Sequence, residues 1–309
     1  MYPTLLSSAI EQYCQSLFER NYSQDTVKAR RYGLVYFLRW CELRGLYTAE
    51  EVDTQELLDY CQYIQEYRKK DGEPLSDRSQ SNKVAVVRML LFWLKAVGSI
   101  STNPGEEIPL PKVKKVKKNR ATTEEIMEEI LDTIDTETML GLRDRAILET
   151  LYSTGIRRME LCNLHLYDLD MSQGTLTIRQ GKGKKDRLVP IGRRALFWID
   201  LYLSMVRPYL VRFLEERALF LSRRGLPISR ERLGPLVNQY VRAATGKGGS
   251  CHLFRHTAAA LMLEGGADIR FIQQLLGHQY LSTTETYTPV SFAALQESYL
   301  KAHPASEGV

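Results

Sequence analysis

Apolar residues recur at three- and four-residue steps through most of the first hundred positions, the period of a helix with one buried face. Leu5–Phe18 follows it. Ser23 suits an N-cap for the long run Thr26–Leu43, with apolar positions at Val27, Leu34, Phe37, Leu38 and Cys41 and Gly45 as its stop. Val52–Tyr67 and Asn82–Val97 repeat the pattern on either side of the polar turn KKDGEPLSDRS. Four such helices predict a small bundle.

The second part of the chain changes period twice. Thr123 is placed to cap a helix whose first turns carry Glu124, Glu125, Glu128 and Glu129 near the positive end of the dipole. Leu142–Tyr152 follows, broken by Ser153-Thr154-Gly155. Thr175–Arg179 and Arg187–Ile191 then alternate and are rich in β-branched residues, with GKGKKD between them, which predicts a hairpin; Tyr167–Asp170 is a further short strand. Helical spacing returns over Gly192–Leu210 and Glu231–Ala244, and from Ser250 to Leu276 with Gly265-Gly266 as a break. Ser291–Lys301 reads as a last amphipathic helix carried by Phe292, Leu295, Tyr299 and Leu300, and AHPASEGV as a frayed tail. Met139, Met159 and Met262 are expected to fill the core. The fold class is therefore mainly α, with a small β-sheet or hairpin in the C-terminal domain.

Composition adds little until charge is located. The chain has 309 residues, a length that favours two domains, and a net charge of +5. Residues 108–120 hold six Lys or Arg and no Asp or Glu, so this one segment exceeds the whole net charge. With Pro109 and Pro111 beside it, PKVKKVKKNR is expected to be extended, a tether that also suits a polyanion. The boundaries expected are a helical domain over 1–105, a basic Pro/Lys linker over 106–121, and a second domain over 122–309. No apolar run approaches the ~20 residues of a membrane span, and MYPTLLSSAIEQYCQ lacks the basic start of a signal peptide. Five cysteines with no C-x-x-C pair suit reduced thiols. Together these features predict a cytoplasmic protein with no membrane association.

The chemistry concentrates near the C-terminus. Within SCHLFRHTAAALMLEGGADIRFIQQLLGHQYLSTTETYTPV lie His252, Arg255, His256, His278 and Tyr287. His252 and Arg255, three apart at a helix start, should share a face. Upstream, Arg157 and Glu160 repeat that spacing in TGIRRMEL, and Lys182 stands near the hairpin tip, with Lys184 and Lys185 as rivals. The set contains guanidinium forks for phosphate, proton carriers and a phenol nucleophile, but no carboxylate cluster for a metal. It predicts phosphoryl transfer without metal or other cofactor. A zinc set of Cys251, His252, His256 and His278 is disfavoured, because Arg255 intrudes and no second close-spaced pair exists. His256 is expected to cap or pack.

Arg157, Lys182, His252-x-x-Arg255, His278 and Tyr287 stand in the order of the tyrosine recombinase family, and the chain resembles its phage-integrase and Xer-type members. The resemblance covers roughly Thr123 to Val290 by motif and the whole chain by layout. It implies an N-terminal helical bundle that grips DNA plus a tyrosine-recombinase catalytic domain, and strand exchange through a 3′-phosphotyrosine. The implied roles are Arg157 and Arg255 on the phosphoryl oxygens, His278 beside them, and Lys182 as acid. His252 is then the base and Tyr287 the nucleophile. Glu160 either orients the site or makes an internal salt bridge. The implied partners are double-stranded DNA with an inverted-repeat core site and a homo-tetramer on it, with a related recombinase or accessory proteins possible. Lys112, Lys114, Lys115, Lys117, Lys118, Lys184 and Lys185 are the expected backbone contacts. Arg207, Arg212, Arg223, Arg224, Arg230 and Arg232 should include others, whereas Arg30, Arg31, Lys69, Lys70, Lys83 and Arg88 read first as a solvated helix face. The last helix packs on its own domain or docks into a neighbouring protomer. Two rival readings remain: a type IB topoisomerase-like relaxing enzyme, and a catalytically idle architectural DNA-binding protein.

Overall fold

The computed structural model describes residues 5–111, 121–179, 186–277 and 292–306. Lys112, Lys114, Lys115, Lys117, Lys118, Lys182, Lys184, Lys185, His278 and Tyr287 lie outside the described residues. The chain divides into two compact units, Met1–Lys117 and Lys118–Val309.

The first unit is the expected bundle: α1 (Leu6–Glu19), α2 (Gln24–Leu43), α3 (Thr54–Glu66) and α4 (Asp77–Ala96). Ser23 caps α2 by accepting from Thr26 N, and Asp53 caps α3 by accepting from Glu56 N at 2.8 Å. Helix α4 starts before Asn82 because Ser76 caps it. Leu17, Leu34, Phe37, Ile64 and Leu90 are fully buried at its centre, each burial being worth roughly 1.5–3 kcal/mol. Gly33 lets α2 approach α4, since a Cβ there would lie 2.7 Å from Val86 Cγ1. One residue departs from the solvated face. Lys83 is buried, its ammonium 3.0 Å from the Tyr36 ring centre, and burial lowers its pKa to about 8.

The second unit opens with α5 (Glu124–Asp132), α6 (Met139–Thr154) and α7 (Arg158–Cys162). A three-stranded antiparallel sheet follows in the order β1 (Leu169–Asp170), β2 (Thr175–Ile178), β3 (Arg187–Pro190), with Leu176 opposite Val189 and Ile178 opposite Arg187. Then come α8 (Arg193–Met205), α9 (Arg207–Leu210), α10 (Arg230–Thr245), α11 (Cys251–Glu264), α12 (Ile269–Leu276) and α13 (Phe292–Ala302). Helix α6 is buried along almost its whole length and packs against α8 and α11.

Several expectations are corrected here. Of Tyr167–Asp170 only Leu169–Asp170 is strand; Tyr167 and Asp168 belong to a 3-10 turn, because the Asp168 carboxylate accepts the His165 backbone N–H and bends the chain. The long helix over Gly192–Leu210 breaks at Val206, since Pro208 has no N–H to continue it. Met139 and Met159 are exposed, and only Met262 is core. Arg207 serves its own domain, donating to the Glu216 and Ala218 carbonyls.

The tail is not frayed through Ser306: His303, Ala305 and Ser306 are buried. His303 stacks on Tyr299, its Nε2–H donates to Tyr152 O at 3.1 Å, and its Nδ1 accepts from Ala305 N at 3.0 Å. Helix α13 rests on α11, α12 and β3 of the same chain, with Leu295 and Tyr299 buried but Leu300 exposed.

Candidate active site

Gly155 ends α6 in the left-handed region (φ +58°), a conformation that costs glycine least. The turn sends Ile156 into the core and leaves Arg157 as the residue before α7. Glu160, one turn on, accepts the Arg157 backbone N–H at 2.7 Å and its Nη1–H at 2.9 Å. Glu160 thus makes an internal salt bridge. Arg158, the next residue, is exposed.

Glu160 has a second partner that sequence reasoning missed. Arg187, read there only as the first residue of a hairpin strand, meets it fork to fork: Nη1 to Oε1 at 2.9 Å and Nη2 to Oε2 at 2.8 Å. A signal was present, because Arg187 is two residues before the buried Val189 and so shares its face of β3. Burial alone would raise the Glu160 pKa. The bonds and charges of Arg187 and Arg157 outweigh that and bring it to about 2.

Arg255, in the second turn of α11, is buried and reaches two carbonyls at 2.7 Å, Gly155 O and Leu276 O. Arg157 Nη2 donates to Gly277 O at 3.0 Å. Arg157 and Arg255, from distant segments, therefore meet at the C-terminal end of α12, where unpaired carbonyls attract cations. Burial, then repulsion from Arg157, lowers the Arg255 pKa to about 10, so it remains charged at neutral pH. Arg157 keeps 25% of its side-chain surface exposed, enough for an anion to touch it. His252 shares α11 with Arg255 but is exposed, its ring 6.4 Å from that of His256, which is exposed too.

The local charge is cationic: three guanidiniums surround one carboxylate. Such forks match the oxygens of a phosphate. Among the described residues, no group of three or more His, Cys, Asp or Glu could hold a metal, and no helix is long and apolar enough to cross a membrane.

Residues 120–294 match the phage integrase family, and residues 10–98 match the N-terminal SAM-like domain of phage integrases. The chain belongs to the phage integrase family. It is 43% identical over 302 residues to tyrosine recombinase XerC 2 of Ralstonia nicotianae, covering 97% of this chain and 87% of that protein. It is 40% identical over 289 residues to tyrosine recombinase XerC of Pelobacter propionicus, covering 93% and 91%. Its fold is similar to that of a lambda integrase dimer bound to a COC′ core site, at a TM-score of 0.68 and 20% identity over 94% of this chain and 100% of the other. This integrase-family chain thus carries a tyrosine-recombinase catalytic domain, mostly helical with one small antiparallel sheet.

Proposed function

We propose that the chain is a site-specific DNA recombinase that cleaves and rejoins strands through a 3′-phosphotyrosine, serving integration, excision or resolution of a mobile element or replicon dimer. The observation that carries this is the meeting of Arg157 and Arg255 at the end of α12, one residue before His278 in the chain.

A phosphodiester resists attack because its oxygens are charged and its leaving alkoxide is poor. Arg157 and Arg255 neutralise the non-bridging oxygens, and His278 adds a hydrogen bond to them. His252 takes the phenol proton of Tyr287, whose oxygen forms a bond to phosphorus as the P–O5′ bond breaks. Lys182 protonates the leaving O5′. The covalent link keeps the phosphodiester energy, so a 5′ hydroxyl of another strand reseals the backbone without ATP.

The partner is double-stranded DNA carrying an inverted-repeat core site, bound by four copies of the chain. Lys112, Lys114, Lys115, Lys117, Lys118, Lys184 and Lys185 contact its phosphates. The divisions proposed are a DNA-gripping domain over 1–105, a basic linker over 106–121 and a catalytic domain over 122–309. Support comes from the relatives' names and from the lambda integrase structure, whose subject is bound to its core site.

The test is Tyr287→Phe on a nicked suicide substrate. DNA binding is expected to equal wild type while no covalent adduct forms; an adduct in the variant would overturn the nucleophile assignment.

A further inference from the structure

The last turn of α12 presents three consecutive carbonyls, and each accepts from a different arginine. Arg187 Nε binds Leu275 O at 3.2 Å, Arg255 Nη2 binds Leu276 O at 2.7 Å, and Arg157 Nη2 binds Gly277 O at 3.0 Å. Arg157 and Arg255 are assigned to the phosphate. Arg187 is left without a task.

Its geometry is unlike theirs. Each of its guanidinium nitrogens already donates inside the protein, Nε to α12 and both Nη to Glu160. The group also lies against Gly277, where a Cβ would come within 3.1 Å of Cζ. Little of it is left for a phosphate oxygen. It is, however, the first residue of β3, five positions after Lys182.

We propose that Arg187 is a positioning residue for strand cleavage: it fixes the root of the β2–β3 hairpin against Glu160 and the end of α12, and so sets where Lys182 delivers its proton. The inference rests on the reading of Lys182 as the acid. Lysine cannot substitute, because an ammonium lacks the planar fork that meets two carboxylate oxygens and a carbonyl at once.

The leaving group separates positioning of an acid from mere folding. A 5′-bridging phosphorothiolate releases a thiolate, which needs no proton, so loss of the acid costs little on that substrate. Arg187→Lys and Arg187→Gln are expected to form the covalent adduct at least about 100-fold more slowly than wild type on a normal suicide substrate, within the range for a lost general acid. On the phosphorothiolate both should come within about threefold of wild type. Lys182→Ala should show the same recovery, and Arg157→Ala should stay slow on both. Recovery by Lys182→Ala without recovery by either Arg187 variant would reduce Arg187 to a structural ion pair and overturn the proposal. Normal cleavage by Arg187→Lys would overturn it as well. No recovery by Lys182→Ala would instead remove the acid assignment, and the route proposed for Arg187 with it.

Discussion

Ser153 and Tyr299 share a hydrogen bond of 2.6 Å across 146 positions of the chain. The same serine hydroxyl accepts the Gly192 N–H at 2.8 Å. One oxygen thus joins α6, the start of α8 and α13, and it explains why the last helix packs here on its own domain. Burial pushes the Tyr299 phenol far above its usual range, keeping it a neutral partner.

Tyr299→Phe removes one side of that bond but leaves the serine its Gly192 partner. The expected cost is about 1 kcal/mol, seen as a lower midpoint in urea unfolding with an unchanged slope. An unchanged midpoint would mean the bond holds nothing.

His303 should make the docked tail sensitive to acid. Burial, then the nearby Arg194 charge, brings its pKa down to about 4 despite the Tyr152 carbonyl bond that favours the charged form. Unfolded, it takes a proton near 6.5. The unfolded state therefore binds more protons between these values, so the contribution is complete above about pH 6.5 and falls as the pH drops toward 4. At pH 5 the loss is about 2 kcal/mol. The hydrogen-exchange protection of residues 299–306, taken relative to the intrinsic rate at each pH, should fall between pH 7 and 5, and His303→Phe should lack that fall.

Glu160→Gln would leave Arg157 and Arg187 facing an amide that can accept on one oxygen only. Breaking a buried ion pair from one side costs about 3 kcal/mol, and adduct formation should fall at least tenfold, by roughly one general-acid or orientation step. The carboxylate pKa of about 2 fixes the pH window. Its stabilisation is full above the unfolded value near 4.3 and disappears as the pH falls toward 2. Denaturant titrations at pH 7 and pH 3 should differ less for the variant than for wild type.

Replacing the five lysines of 112–118 should weaken binding to specific and random duplexes alike. The slope of log K against log salt should flatten by about 0.9 for each phosphate that is no longer neutralised. Weakening confined to one target sequence would show that the arm reads bases.

The caps at Ser23 and Thr123, the break at Gly155, the hairpin strands and the local pairs Arg157–Glu160 and His252–Arg255 were legible in the chain, because each depends on residues close in sequence. The buried faces of α1 to α4 were legible for the same reason, through their period. Boundaries shifted where a cap outweighed the apolar pattern, as at Ser76, or where Pro208 broke a helix.

Sequence alone therefore determined most of the elements, the run of positive charge over 108–120 and the residue types available for chemistry. Tertiary structure decided which of them meet. The pairing of Arg187 with Glu160, the gathering of three arginines on the carbonyls of α12, and the burial of His303 join residues 21 to 151 positions apart. No local period encodes such pairings; they exist because packing leaves buried carboxylates, carbonyls and ring nitrogens that must find partners once water is excluded.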